Sequence, residues 1–180
     1  MEKTFGTSIN ITSQKTASIY LKGLVWGLIG GLAGTLVMDL ILMGVFFVFK
    51  MPVMTCFSII GNTVARFFWP HAIEITNANL IGIITHYIVG PVIGMVFGLM
   101  ILRFKSLRVN TLQKCILVAI LYLEILSQPL LALSPILLKM TPMITLLWYA
   151  GSFLMHLVAA VMMGLVIGKG LGLVKEVKKT

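Results

Sequence analysis

The stretch HYIVGPVIGMVFG, residues 86–98, sets His86, Gly90, Gly94 and Gly98 four residues apart inside an apolar run. A spacing of four puts them on one ridge of a helix. The pattern returns at 156–168, HLVAAVMMGLVIG, as His156, Ala160, Gly164 and Gly168. An imidazole opens each ridge, and the small residues after it let a second backbone come close. Two such ridges predict a membrane bundle packed around them.

Composition agrees. Of 180 residues, 59% are apolar and 11% charged, and the mean hydropathy is +1.06. A soluble domain carries roughly 25% charged residues, so this chain lacks the charge to cover a water-facing surface. Its length suits about four spans with short connections, a single membrane domain over 1–180. The formal charge of +9 does not point to nucleic acid. The basic residues close apolar runs, as topology signals do, and no recognition motif accompanies them. The partner implied is the lipid bilayer.

Four spans are expected, at about 23–49, 79–102, 115–138 and 143–167. Gly23, Gly27 and Gly31 form a tandem GxxxG in the first, and Gly30 with Gly34 forms another. That much glycine would weaken a helix in water, but in lipid it makes a close-packing face. This apolar run is too long for a signal-peptide core and reads as retained. Residues 1–20 are polar and read as a mobile tail, with a short interfacial helix at Thr16–Tyr20 as the alternative. Lys50-Met51-Pro52 ends the first span. The stretch at about 54–68 is too polar and short to cross. It reads as an extra amphipathic helix, lying at the interface or tucked against the bundle. Pro91 should bend the second span, and Pro129 and Pro135 should kink or open the third.

Four polar residues fall inside spans: Asp39, His86, Glu124 and His156. A charge at mid-bilayer costs at least ~2.5 kcal/mol, so these should face inward, paired or neutral. Counted from span ends, Asp39 matches His86 in depth and Glu124 matches His156, giving two carboxylate–imidazole pairs. The plain reading of each is an interhelical hydrogen bond worth about 0.6–2 kcal/mol. The alternatives are a proton or ion pathway, a metal site and bis-His haem. His86 and His156 are the candidate ligands for either group, and no cofactor is required by the sequence. The same count offsets the two histidines by about 9 Å, which disfavours haem. His71 falls in a loop and reads as solvated. Cys56 and Cys115 fall near opposite faces, too far apart for a disulfide. No HExxH, GxSxG, Walker loop or GxGxxG is present, so no enzyme chemistry is indicated.

Each half holds a helix with one carboxylate followed by a helix with one histidine. That order fits a 2+2 parallel repeat about an axis along the membrane normal; chance likeness of glycine-rich helices is the alternative. Eleven of the fourteen Lys and Arg residues lie in the N-terminal segment, the 103–114 loop and the C-terminal tail. The positive-inside rule then puts both termini in the cytoplasm. The fold class expected is all-α: an integral membrane four-helix bundle with one extra interfacial helix.

The segments GGLAGTLVMDLILMG, KMPVM and HYIVGPVIGMVFG resemble the small four-helix membrane proteins of the YagU-like group and related domains of unknown function. The resemblance implies an integral inner-membrane protein. A link to acid tolerance has been suggested for that group, and no catalytic residues come with it. Three functions stay open. One is a non-catalytic accessory subunit, packing through its glycine ridges against other membrane subunits or further copies. The second is a proton or ion pathway through the carboxylate–histidine pairs. The third is a haem or metal carrier.

Overall fold

A computed structural model describes residues 3–69, 77–104, 107 and 109–173, with side chains from Ala17 onward. His71 and the basic residues Lys105, Arg108, Lys175, Lys178 and Lys179 lie outside the described residues. Five helices follow in order: α1 Lys3–Val48, α2 Thr55–Phe68, α3 Ala78–Arg103, α4 Leu112–Leu138 and α5 Pro142–Gly170. Among the described residues the protein is all-helical. The segment Ala17–Val48 of α1 and the whole of α3, α4 and α5 are long and apolar enough to cross a membrane. Leu40, Phe47, Leu121, Ile125, Ile136 and Leu146 are each more than half exposed. Large apolar side chains turned outward on four long helices are the architecture of a multi-pass membrane protein.

The polar segment before the first span is neither a tail nor a short helix at 16–20. Its backbone continues α1 without a break from Lys3. Isolated propensity is a weak guide where a helix needs only to be extended from an existing turn.

α1 is the spine. One of its ridges meets α3, with Gly23 facing Gly98, Gly27 facing Gly94, and Gly31 facing Gly90. A second ridge meets α5, with Gly30 against Met163 and Ile167, and Gly34 against Ala159. Glycine is required at these places because the opposing chain is backbone. A Cβ at Gly34 would sit 2.6 Å from the Ala159 carbonyl oxygen, and one at Gly23 would sit 2.9 Å from that of Gly98. Gly164 and Gly168 face α4 instead, against Ile116, Ala119, Leu112 and Cys115. The half of the bundle nearer the chain termini is closed by Phe97, Ile101, Cys115, Ala119, Met163 and Ile167.

Within each half small residues of the histidine helix pack on the preceding membrane-spanning helix, α3 on α1 and α5 on α4. The join between halves is not symmetric. α1 runs along α5, whereas α3 barely meets α4, and α2 is wedged between them. Of the two placements open for α2, the structure has it tucked against the bundle. Gly61 crosses Ala78 and Gly82, and the hydroxyls of Thr63 and of Ser134 on α4 share a hydrogen bond at 2.9 Å. Phe57, Gly61, Thr63 and Ala65 form the buried side, while Phe67, Phe68 and Trp69 stay exposed.

Proline does not open α4, which is helical to Leu138 with Pro129 and Pro135 inside it. Pro135 has no N–H for the Leu131 carbonyl, one turn back. The Trp148 indole of α5 donates to that carbonyl instead, at 3.1 Å. A neighbouring helix thus supplies the bond that the ring removes.

Candidate functional site

Along α1, the small residues facing α5 end at Gly34. Beyond it stand Met38, Leu42 and Phe46, opposite Met155, Ser152 and Trp148 of α5. With Thr55, Cys56, Ile59 and Ile60 of α2 they line a cavity of about 400 Å³. Its wall is apolar apart from a few groups, among them Cys56, His86 and His156. Its α1 lining runs from Met38 to Phe46 and its α5 lining from His156 to Ile144. The histidines therefore mark the deep end, toward the middle of the bundle.

Asp39 follows the last small residues of the α1 ridge and is 2% exposed. Its Oδ1 lies 3.0 Å from Nδ1 of His86, across the seam that Gly31 and Gly90 hold together. The His86 ring is further fixed by Phe57, edge to face at 5.8 Å between centroids. Oδ2 of Asp39 is buried with no hydrogen-bond partner. Nδ1 of His156 is also buried and unpartnered.

The structure brings His86 and His156 to one cavity, which the depth count had separated by about 9 Å. The seams explain the difference. Gly31 faces Gly90 and Gly34 faces Ala159. Counting on from those contacts, His86 falls level with α1 residue 35 and His156 with residue 37, about 3 Å apart along the axis. The span ends are not level, because α5 has fourteen residues ahead of His156 and α3 has eight ahead of His86.

Glu124 is at the depth of His156, yet the two share no hydrogen bond. Leu123 and Ser127 take the face of α4 that is buried, which leaves Glu124 on its flank. There its Oε2 accepts from Gln128 at 3.2 Å, one turn away, and its Oε1 is buried without a partner. Depth came from counting; the angle around the helix did not.

Cys56 opens α2 beside this site, outside the membrane-spanning segments. Burial first, and the Asp39 carboxylate second, push its thiol up to about 12. It is an inert apolar lining group at neutral pH. Among the described residues no group of three or more His, Cys, Asp or Glu is arranged to hold a metal ion.

Gly61 and Gly82 also carry close contacts, which the ridge reading does not name. Gly82 had a signal, since it extends the 86–98 ridge by one more step of four. Compared with known protein families, with curated proteins and with solved structures, the chain matches none.

Proposed function

We propose that this is a non-catalytic, multi-pass membrane protein that holds a small lipophilic molecule in the cavity between α1, α2 and α5. The observation that carries the reading is the meeting of His86, backed by Asp39, with His156 at the deep end of an otherwise apolar cavity. Apolar walls with a few converging polar groups are the usual make-up of a small-molecule site. The glycine ridges are consumed inside the chain: of the glycines from Gly23 to Gly172, all but Gly44, Gly151 and Gly172 meet a neighbouring helix or side chain. They lend less support to an accessory subunit docked on a partner than the sequence alone did. The proton-pathway reading is less favoured because the half beyond the histidines is closed by Phe97, Ala119, Met163 and Ile167. A pocket fits this better than a path.

The level placement of the two histidines supports a second reading, haem or a metal ion between them. An absorbance spectrum with metal analysis, on protein purified without chelator, decides it. A coloured or metal-loaded sample would establish that reading. The likeness to the YagU-like group adds the cell membrane as location. The excess of Lys and Arg on the terminal side adds a cytoplasmic placement of both termini.

Trp148 lines the cavity. With Trp26→Phe and Trp69→Phe, it is the sole tryptophan and reports on occupancy. In nanodiscs, a chain-brominated twelve-carbon alcohol should quench it saturably, and Gly151→Phe, which fills the cavity, should abolish that saturation. Quenching that rises linearly and is unaffected by Gly151→Phe would overturn the reading.

A further inference from the structure

We infer that the guest is an uncharged, single-chain amphiphile with a hydroxyl head, selected because Asp39 holds His86 as a hydrogen-bond acceptor. The inference rests on the cavity reading above and adds the chemistry of the head.

The argument starts from the hydrogen bond between Asp39 Oδ1 and His86 Nδ1, at 3.0 Å. An ionised carboxylate can only accept, so the imidazole nitrogen facing it carries the proton. In a neutral ring the other nitrogen is then a bare acceptor, and the tautomer is set by the bond the first one makes. With Nδ1 taken by Asp39, the nitrogen left for a guest is Nε2. His86 is itself a lining residue and its side chain is 18% exposed. His156 adds a buried nitrogen with no partner. Nε2 of His86 therefore needs a donor, and a hydroxyl supplies one while its oxygen can accept from the single N–H of a neutral His156 ring.

Size and charge narrow the class. At about 30 Å³ per water-sized group, 400 Å³ admits about thirteen such groups. That is a small head with part of one chain; the rest of the chain would lie in the bilayer. A carboxylate or phosphate head at His86 would lie near the buried Asp39 carboxylate behind that ring, and like charges at short range repel. Among the described residues no lysine or arginine lines the cavity to offset that.

The test uses the single-Trp148 protein and a series of chain-brominated guests of equal length: an alcohol, an alkylphenol, a methyl ketone and a carboxylate. Alcohol and phenol both donate, and they separate an aliphatic source from a ring-bearing one. A site built to receive a hydroxyl rejects the analogue lacking it, because its own polar group is left unpaired. We expect the better donor to bind about tenfold more tightly than the ketone, and the carboxylate to bind weakest. Asp39→Asn, whose amide can face Nδ1 as donor or acceptor, should shrink the donor–ketone ratio below about threefold. Equal binding of donor and ketone by the unmutated protein, or a preference for the ketone, overturns this inference while the cavity reading stands. Failure of every guest to saturate overturns both. Should Asp39→Asn fail to fold, ¹⁵N spectra of histidine-labelled protein give the tautomer directly. A protonated Nδ1 and bare Nε2 at His86 support the inference, and the reverse refutes it.

Discussion

Replacing Gly27 with alanine adds one methyl in the middle of the α1–α3 glycine seam. Its Cβ would overlap the Gly94 carbonyl and come within 2.7 Å of the Met95 Cα. Carbon atoms rest about 3.5–4.0 Å apart, so the helices must part by about 1 Å near this point. A gap of that size forfeits a quarter to a half of each dispersion contact. The loss reaches the flanking crossings as well, Gly23 with Gly98 and Gly31 with Gly90. Overpacking of this kind costs about 1–3 kcal/mol. Gly44→Ala is the internal control, because nothing stands within 4 Å of its Cβ. There alanine's better helix propensity gains up to about 1 kcal/mol. The two substitutions should therefore move stability in opposite directions. Unfolding by SDS in mixed micelles, followed by near-ultraviolet circular dichroism, measures both. If Gly27→Ala is as stable as the unmutated protein, or as Gly44→Ala, the seam does not hold the bundle and the reasoning fails.

Three further outcomes follow from single contacts. A double-mutant cycle of Asp39→Ala and His86→Ala should return a coupling of about 1–2 kcal/mol, and additivity would deny that the pair interacts. Trp148→Phe should cost about 1 kcal/mol by freeing the Leu131 carbonyl; in a Pro135→Ala background, where α4 regains its own N–H donor, the same change should cost almost nothing. Cys56, studied with Cys115→Ala, should react with iodoacetamide at a rate that rises tenfold per pH unit past pH 9 and levels only near 12. A plateau near the ordinary thiol value of about 8.5 would contradict its burial.

Much of the fold could be read from the chain because lipid simplifies the problem. Four apolar runs must be helices, since no other open backbone survives in hydrocarbon. The step-of-four glycines then named the helix faces: Gly23, Gly27 and Gly31 do meet Gly98, Gly94 and Gly90. What counting from span ends could not supply was relative height. It took the helix ends as level, and α5 projects about two turns further beyond its histidine than α3 does. The site was hidden for that reason, as His156 was assigned to Glu124 and set apart from His86. The α1–α5 seam held the missing register in Gly30 and Gly34. No pattern within α5 announced Ala159 as their partner, because alanine is common in any apolar helix. The cavity was less legible still. It comes from where the small residues stop, a property of two helices once aligned.

The register itself is open to direct measurement by cross-linking in a Cys56→Ser, Cys115→Ala background. The seams place His86 opposite His156, so the pair His86→Cys and His156→Cys should be joined efficiently by a short bis-thiol reagent in membranes. The pair His86→Cys and Ala150→Cys, which span-end counting would set at equal height, should remain largely unlinked. Efficient joining at 150 with little at 156 would contradict the account.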